Sequence, residues 1–150
     1  MPIRCEIVSQ DRLVYEGDAD MIIVPGIEGE MGILPNHAPL LSILRLGVLK
    51  VRFRDDEKDF TISGGVIEVQ PDLVTVLADS AENVMEIDIS RAEAAKKRAE
   101  DLLAQGPGPD TDSYLSLEAA LRRSNLRLEA ARRFRGQRTH SSGKGQEETS

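Results

Sequence analysis

A chain of 150 residues builds one good core, or one domain with an appendage. Hydrophobic residues make up 40% of it but aromatic residues only 3%, with no Trp, so the core must be aliphatic and base stacking on single-stranded nucleic acid is disfavoured. The net charge of −7 argues against non-specific nucleic-acid binding, and a single cysteine, Cys5, allows neither an intramolecular disulfide nor a zinc cluster.

The N-terminal segment MPIRCEIVSQ lacks an apolar core of signal-peptide length. Residues 2–86 read as β. Ile3, Cys5 and Ile7 alternate with polar residues, Leu13-Val14-Tyr15 lies close to a turn at Gly17, and Met21–Val24 is a short apolar run ended by Pro25-Gly26. The stretch 25–41, PGIEGEMGILPNHAPLL, holds three Gly and three Pro. Such density in both predicts a loop of fixed shape, with Met31, Ile33, Leu34, Leu40 and Leu41 buried and Gly32 in a backbone conformation closed to β-branched residues. Val48–Arg54 alternates, Asp55–Asp59 reads as a charged turn, Phe60, Ile62, Val66, Ile67 and Val69 follow, and Pro71-Asp72 turns the chain into Leu73–Leu77. Short strands at this spacing suggest a sandwich or barrel of about nine or ten strands.

The hydrophobic period changes near Asp88. Asp88 is placed to cap a helix whose Ala92, Ala95, Ala99 and Leu102 share a face. Gly106-Pro107-Gly108-Pro109 must stop it. Asp112 or Ser113 is placed to cap a second helix, along which Leu117, Leu121, Ser124, Leu128 and Ala131 recur at heptad-like spacing. The pair reads as an αα-hairpin with a thin, alanine-rich interface. After Gly136 the chain has no apolar residue and is expected to be disordered. Charge divides the same way. Residues 1–89 carry 7 basic and 17 acidic side chains, whereas residues 113–138 carry 7 Arg against Glu118 and Glu129. An Arg-rich helix on an acidic protein is a solvated face or a docking surface for an acidic partner.

No catalytic constellation is visible. Gly143-Lys144 is followed by Gly145, so it is no P-loop, and there is no G-x-G-x-x-G. His37, between two turn prolines, reads as a hydrogen-bonded loop residue, and neither it nor His140 has a metal-ligand neighbour at helical spacing. No nucleophile elbow is present. No window approaches the roughly 18 uninterrupted apolar residues of a membrane span. One constellation suits an anion: Arg91 and Arg98 lie two turns apart on the first helix, and Arg123 and Arg127 share a face of the second.

Four segments in order also resemble the epsilon subunit family of F-type ATP synthases. They are 25–41, Phe60–Gly65, Val74–Asp79 and Ile87–Ala92, and the match in order and spacing runs over roughly residues 3–135. The resemblance implies an N-terminal ten-stranded β-sandwich, 1–86, followed by a C-terminal two-helix antiparallel hairpin, 87–135, and a polar tail, 136–150. It implies a non-catalytic rotor subunit that joins the gamma subunit to the c-ring, with the c-ring contact at Glu30, Met31 and Gly32. In the family the hairpin can extend into the catalytic head and block hydrolysis. That role suits Arg122, Arg123, Arg127, Arg132 and Arg133, which would face the acidic segment of the catalytic beta subunits. Some bacterial members bind ATP as a regulatory ligand. The matching positions here are Glu82, Ile87, Asp88, Arg91, Ala92, Arg98, Arg123 and Arg127, with Ser116 where nucleotide-binding relatives carry an Arg. No cofactor, metal or nucleic acid is implied. Membrane association is expected only through the complex, at the cytoplasmic face of a bacterial cell membrane. A stand-alone ATP-sensing domain and a small all-β enzyme are the alternatives from other function classes.

Overall fold

The computed structural model describes residues 1–106 and 110–143, with side chains described through residue 134. The chain forms two compact units, Met1–Glu86 and the remainder from Ile87.

In the first unit the strands are β1 (Ile3–Ser9), β2 (Arg12–Ala19), β3 (Met21–Gly26), β4 (Gly29–Ile33), β5 (Leu40–Phe53), β6 (Asp56–Val69), β7 (Leu73–Ala78) and β8 (Ala81–Asn83). They lie in the order β2-β1-β7-β6-β5-β3-β4, with β8 beside β6, and all neighbours are antiparallel except β1 and β7. Spacing predicts about nine or ten strands and the family resemblance ten; the described residues form eight, because β5 and β6 each run unbroken for 14 residues. Both serve two layers. The first half of β6 pairs with β8 through Phe60, Thr61 and Ile62, while its second half pairs with β7 from Gly65 to Val69. Counting the halves separately restores ten.

The inward side of each long strand changes parity at the bend. Phe60 and Ile62 are buried in the first half of β6, but Ile67 and Val69 in the second; Leu49 and Val51 are buried in β5, but Leu44 before them. Gly64 and Gly65 absorb the change at φ +110° and +135°, a region closed to most side chains. The charged turn expected over Asp55–Asp59 shrinks to Arg54-Asp55, with Arg54 at φ +57°, and β6 starts at Asp56. Pro25-Gly26 and Gly17, read as breaks, lie inside strands.

The layers enclose one aliphatic core that includes Ile3, Ile7, Ile22, Ile33, Leu49, Phe60, Ile62, Ile67 and Val76. Cys5 is part of it, and burial pushes its thiol up to about 12, so it is protonated and inert at neutral pH. Asp59 is less settled. Its Oδ1 is buried without a hydrogen-bond partner, and burial, with the Glu57 carboxylate nearby, raises its pKa. A carboxylate raised in the folded state favours folding most below its unfolded value, near 3.9, and that contribution is lost as pH rises through the folded value. Asp59→Asn should therefore stabilise the protein against urea at pH 7 by on the order of 1 kcal/mol, with no gain below pH 4.

In the second unit α1 (Ile89–Ala104) and α2 (Thr111–Gly143) pack on one another. Ala92 and Ala99 of α1 and Ser124, Leu128 and Ala131 of α2 are buried, but Leu102, expected on the same face, is exposed. Asp88 caps α1 as the sequence predicts, accepting from the Arg91 N–H at 3.1 Å. The cap of α2 is Asp110, not Asp112 or Ser113. Its Oδ1 accepts from the N–H groups of Asp112 and Ser113, and its Oδ2 from the Ser113 hydroxyl at 2.6 Å, which together hold its pKa below the usual carboxylate range. The disordered tail expected from Gly136 is corrected over its first part. α2 continues through Gly143, since extending an existing helix adds a hydrogen bond for each residue fixed and needs no new nucleus. The rest of that tail, and Pro107–Pro109, lie outside the described residues.

Candidate functional site

The stretch 25–41 is a β-hairpin followed by a bend. β3 and β4 pair from Ile22↔Ile33 to Gly26↔Gly29, so Ile27-Glu28 is a two-residue turn. Gly29, at φ +138°, and Gly26, where a Cβ would sit 2.6 Å from the Gly29 carbonyl, are the glycines this turn needs. Gly32 is not one of them. Its φ is not positive, and a Cβ there would meet only the flexible end of Met21. Asn36, at φ +64°, turns the chain back toward β5. His37 is a hydrogen-bonded loop residue as expected, with Nδ1 donating to the Ala38 carbonyl at 2.7 Å.

Five apolar residues of this stretch are expected inside, but the structure buries Ile33 fully and half-buries Met31 and Leu40. Leu34 and Leu41 are exposed, Leu41 by 71%. Leu41 lines a groove of ≈450 Å³ with Ile27, Met31 and Ile43, and Glu28 and Glu30 also line it. The site residues Glu30 and Met31 thus lie together on an apolar groove that carries two carboxylates.

The groove opens onto a larger feature that the sequence pattern does not show. Register pairs Leu13 with Val8, Val8 with Leu77, Leu77 with Val66, and Val66 with Ile43. These five residues form one apolar row across β2, β1, β7, β6 and β5, about 19 Å wide at the usual strand spacing. Val8 is half-buried, and the other four are between 36% and 56% exposed. The adjacent row, through Glu68, Thr75, Glu6 and Glu16, is polar and acidic. Scattered exposed apolar residues need no explanation, but a contiguous row beside an apolar groove marks an interaction surface.

The anion-binding candidates fall in both units. Glu82, on β8 opposite Thr61, is half-buried in the first. In the second, Ile87 and Ala92 are buried, Asp88 is occupied as the α1 cap, and Arg91, Arg98 and Arg123 are exposed. Arg132 donates to Glu93 at 2.9 Å, and this register places Arg98 level with Arg127 across the helix pair. Arg133 pairs with Glu129 one turn back on α2. No metal-binding cluster occurs among the described residues, and no described helix is long and apolar enough to cross a membrane.

Residues 2–84 match the family described as ATP synthase, Delta/Epsilon chain, beta-sandwich domain, and residues 85–132 the one described as ATP synthase, Delta/Epsilon chain, long alpha-helix domain. An ATP synthase epsilon chain of Dehalococcoides mccartyi is 47% identical over 133 residues, covering 89% of this chain and 94% of its own. One from Acidithiobacillus ferridurans is 43% identical over 137 residues, covering 91% and 96%. Among solved structures, a chain of the Euglena gracilis mitochondrial ATP synthase (OSCP/F1/c-ring) superposes with a TM-score of 0.70 at 28% identity, over 87% of this chain and 81% of that one.

Proposed function

This chain belongs to the ATP synthase delta/epsilon family as an epsilon-type, non-catalytic subunit of the rotor, and from that premise we propose how its two units divide the work. The β unit joins the gamma subunit to the c-ring. The observation that carries this reading is the continuous apolar surface formed by the cross-strand row and the groove beneath the β3–β4 turn. A row five strands wide is an extended face suited to a folded partner, here the gamma subunit. The groove, with Glu28 and Glu30 beside apolar side chains, suits a short partner loop carrying a basic residue on an aliphatic stem, here from the c-ring. The complex holds the chain at the cytoplasmic face of a bacterial membrane. A tagged copy should copurify from detergent-solubilised membranes with gamma, the catalytic beta subunits and the c-ring. Recovery of the tagged chain alone would refute the reading.

The helical unit regulates. Its exposed Arg122, Arg123, Arg132 and Arg133, with Arg127, form the basic surface that docks on the acidic segment of the catalytic beta subunits and inhibits hydrolysis. ATP, as a regulatory ligand, bridges Arg91 and Arg98 to Arg123 and Arg127 in the closed hairpin. It opposes docking to the extent that it binds the closed state better. The level placement of Arg98 and Arg127 supports this. A charge-assisted contact is worth about 1.5–3 kcal/mol, so Arg98→Ala and Arg127→Ala should each weaken ATP binding by roughly 10- to 150-fold in calorimetry. Absence of binding by the unaltered chain at millimolar ATP would leave α2 as a docking surface alone.

A further inference from the structure

The two helices of the second unit are joined covalently at one end, between Gln105 and Asp110. At the other end no chain connects them. The side chains buried near that end are Ala92 of α1 and Leu128, Ala130 and Ala131 of α2, with Phe134 half-buried. Three of these four buried side chains are alanine, and each contributes little apolar area against separation. Beside them, at the next residue on each helix, the Arg132 guanidinium donates to Glu93 Oε1 at 2.9 Å, linking residues 39 apart in sequence.

The neighbouring cation behaves differently. Arg133 reaches Glu129 at 2.7 Å, four residues back along α2. That pair lies within one helix and survives any movement of α2 as a rigid rod. The Glu93–Arg132 pair spans two helices and cannot survive their separation. Arg132 and Arg133 are consecutive, but only the first is tied to the closed form.

We propose that Glu93 and Arg132 form a latch at the open end of the hairpin, and that Arg132 changes partner when the helices separate. The regulatory consequence rests on the reading of α2 as a docking helix: an acidic partner surface competes with Glu93 for Arg132, so Glu93 sets a threshold for opening. Both partners are more than half exposed, at 60% and 53%, so the latch is weak and is loosened by salt. A weak latch suits a thin interface, because a small change then moves the balance.

Backbone amide exchange of α1 in the full-length chain reads the opening equilibrium directly, without requiring a large open population. The chain, Glu93→Gln, Arg132→Gln and the double variant form a thermodynamic cycle. Each single change should speed exchange of α1 about two- to fivefold at low salt, and the double variant should be no faster than the faster single one. In roughly 0.5 M salt the effect should vanish. The same cycle with Arg133→Gln in place of Arg132→Gln should be additive. Additive behaviour of Glu93 and Arg132, or equal coupling of Glu93 to Arg133, would overturn the latch. Coupling in the free chain with unchanged ATP hydrolysis by the assembled complex carrying Glu93→Gln would support the latch and count against the docking reading.

Discussion

Replacing Gly65 by Ala should unfold the β unit under conditions where the unaltered chain is stable. A Cβ at this position would lie 2.2 Å from the Leu77 carbonyl oxygen and 2.8 Å from the Ala78 Cα. Both are backbone atoms of β7, the strand that Gly65 pairs with, so neither yields without breaking the ladder. The residue also sits at φ +135°, where an L side chain is strained whatever the space. Strain and overpacking each cost about 1–3 kcal/mol, against a total stability of about 5–15 kcal/mol for a typical domain. Urea unfolding followed by circular dichroism should show roughly 3 kcal/mol or more of lost stability, or no folded β signal at all. Gly29→Ala is the informative comparison. Gly29 has nearly the same φ, +138°, but nothing lies within 4 Å of an added Cβ. It should lose only the strain component, about half as much. Equal losses at the two positions would show that φ alone sets the cost.

A charge placed in the cross-strand row should have the opposite profile, with normal folding and failed assembly. Leu77 is 54% exposed and Ile43 56% exposed, so Asp at either site keeps its carboxylate hydrated in the free chain. Surface changes of this kind usually shift stability by no more than about 0.5 kcal/mol. In the assembled rotor the same carboxylate would be buried against apolar atoms. Truncating or charging a central contact costs at least about 2 kcal/mol of binding, a loss of roughly 30-fold or more in affinity. Leu77→Asp and Ile43→Asp chains should unfold in urea like the unaltered chain but be absent from purified complexes. Normal incorporation of both would remove the row from the interface.

What could be read from the sequence follows what is local. Ile3, Cys5 and Ile7 alternate cleanly, and all three are buried in β1. The change of period at Asp88 is local too, and Asp88 does cap α1. The misreadings have physical causes. The Gly17 and Pro25-Gly26 positions look like turns, because glycine and proline usually interrupt strands. The glycines of β6 let one strand bend between layers, which lowers the strand count below the nine or ten expected from spacing. DTDS sets four capping residue types in a row, and local chemistry alone does not choose among Asp110, Thr111, Asp112 and Ser113. Leu34 and Leu41 look like core residues, since apolar side chains in a shaped loop have nowhere else to go unless a partner covers them. The apolar row was invisible for a different reason. Its members, Leu13, Val8, Leu77, Val66 and Ile43, are scattered over the β unit and meet only through register. The groove could be placed in advance only through the family motif around Glu30, and its depth and lining came from the β3–β4 pairing.

A rotor contact through the row and the groove requires that surface to be covered in the assembled enzyme. Cys5, the chain's one cysteine, is buried with its thiol pushed up to about 12, so it is silent toward maleimide at neutral pH. Single cysteines placed at Ile43, Leu77 or Ile27 then report alone, with Asp55, exposed in the Arg54-Asp55 turn, as the reference position. The direct measurement is the maleimide labelling rate at each position in the free chain and in the purified complex. Labelling should be fast everywhere in the free chain, and in the complex at least tenfold slower at Ile43, Leu77 and Ile27 with no slowing at Asp55. Equal rates in the free and assembled states at Ile43 and Leu77 would contradict that contact.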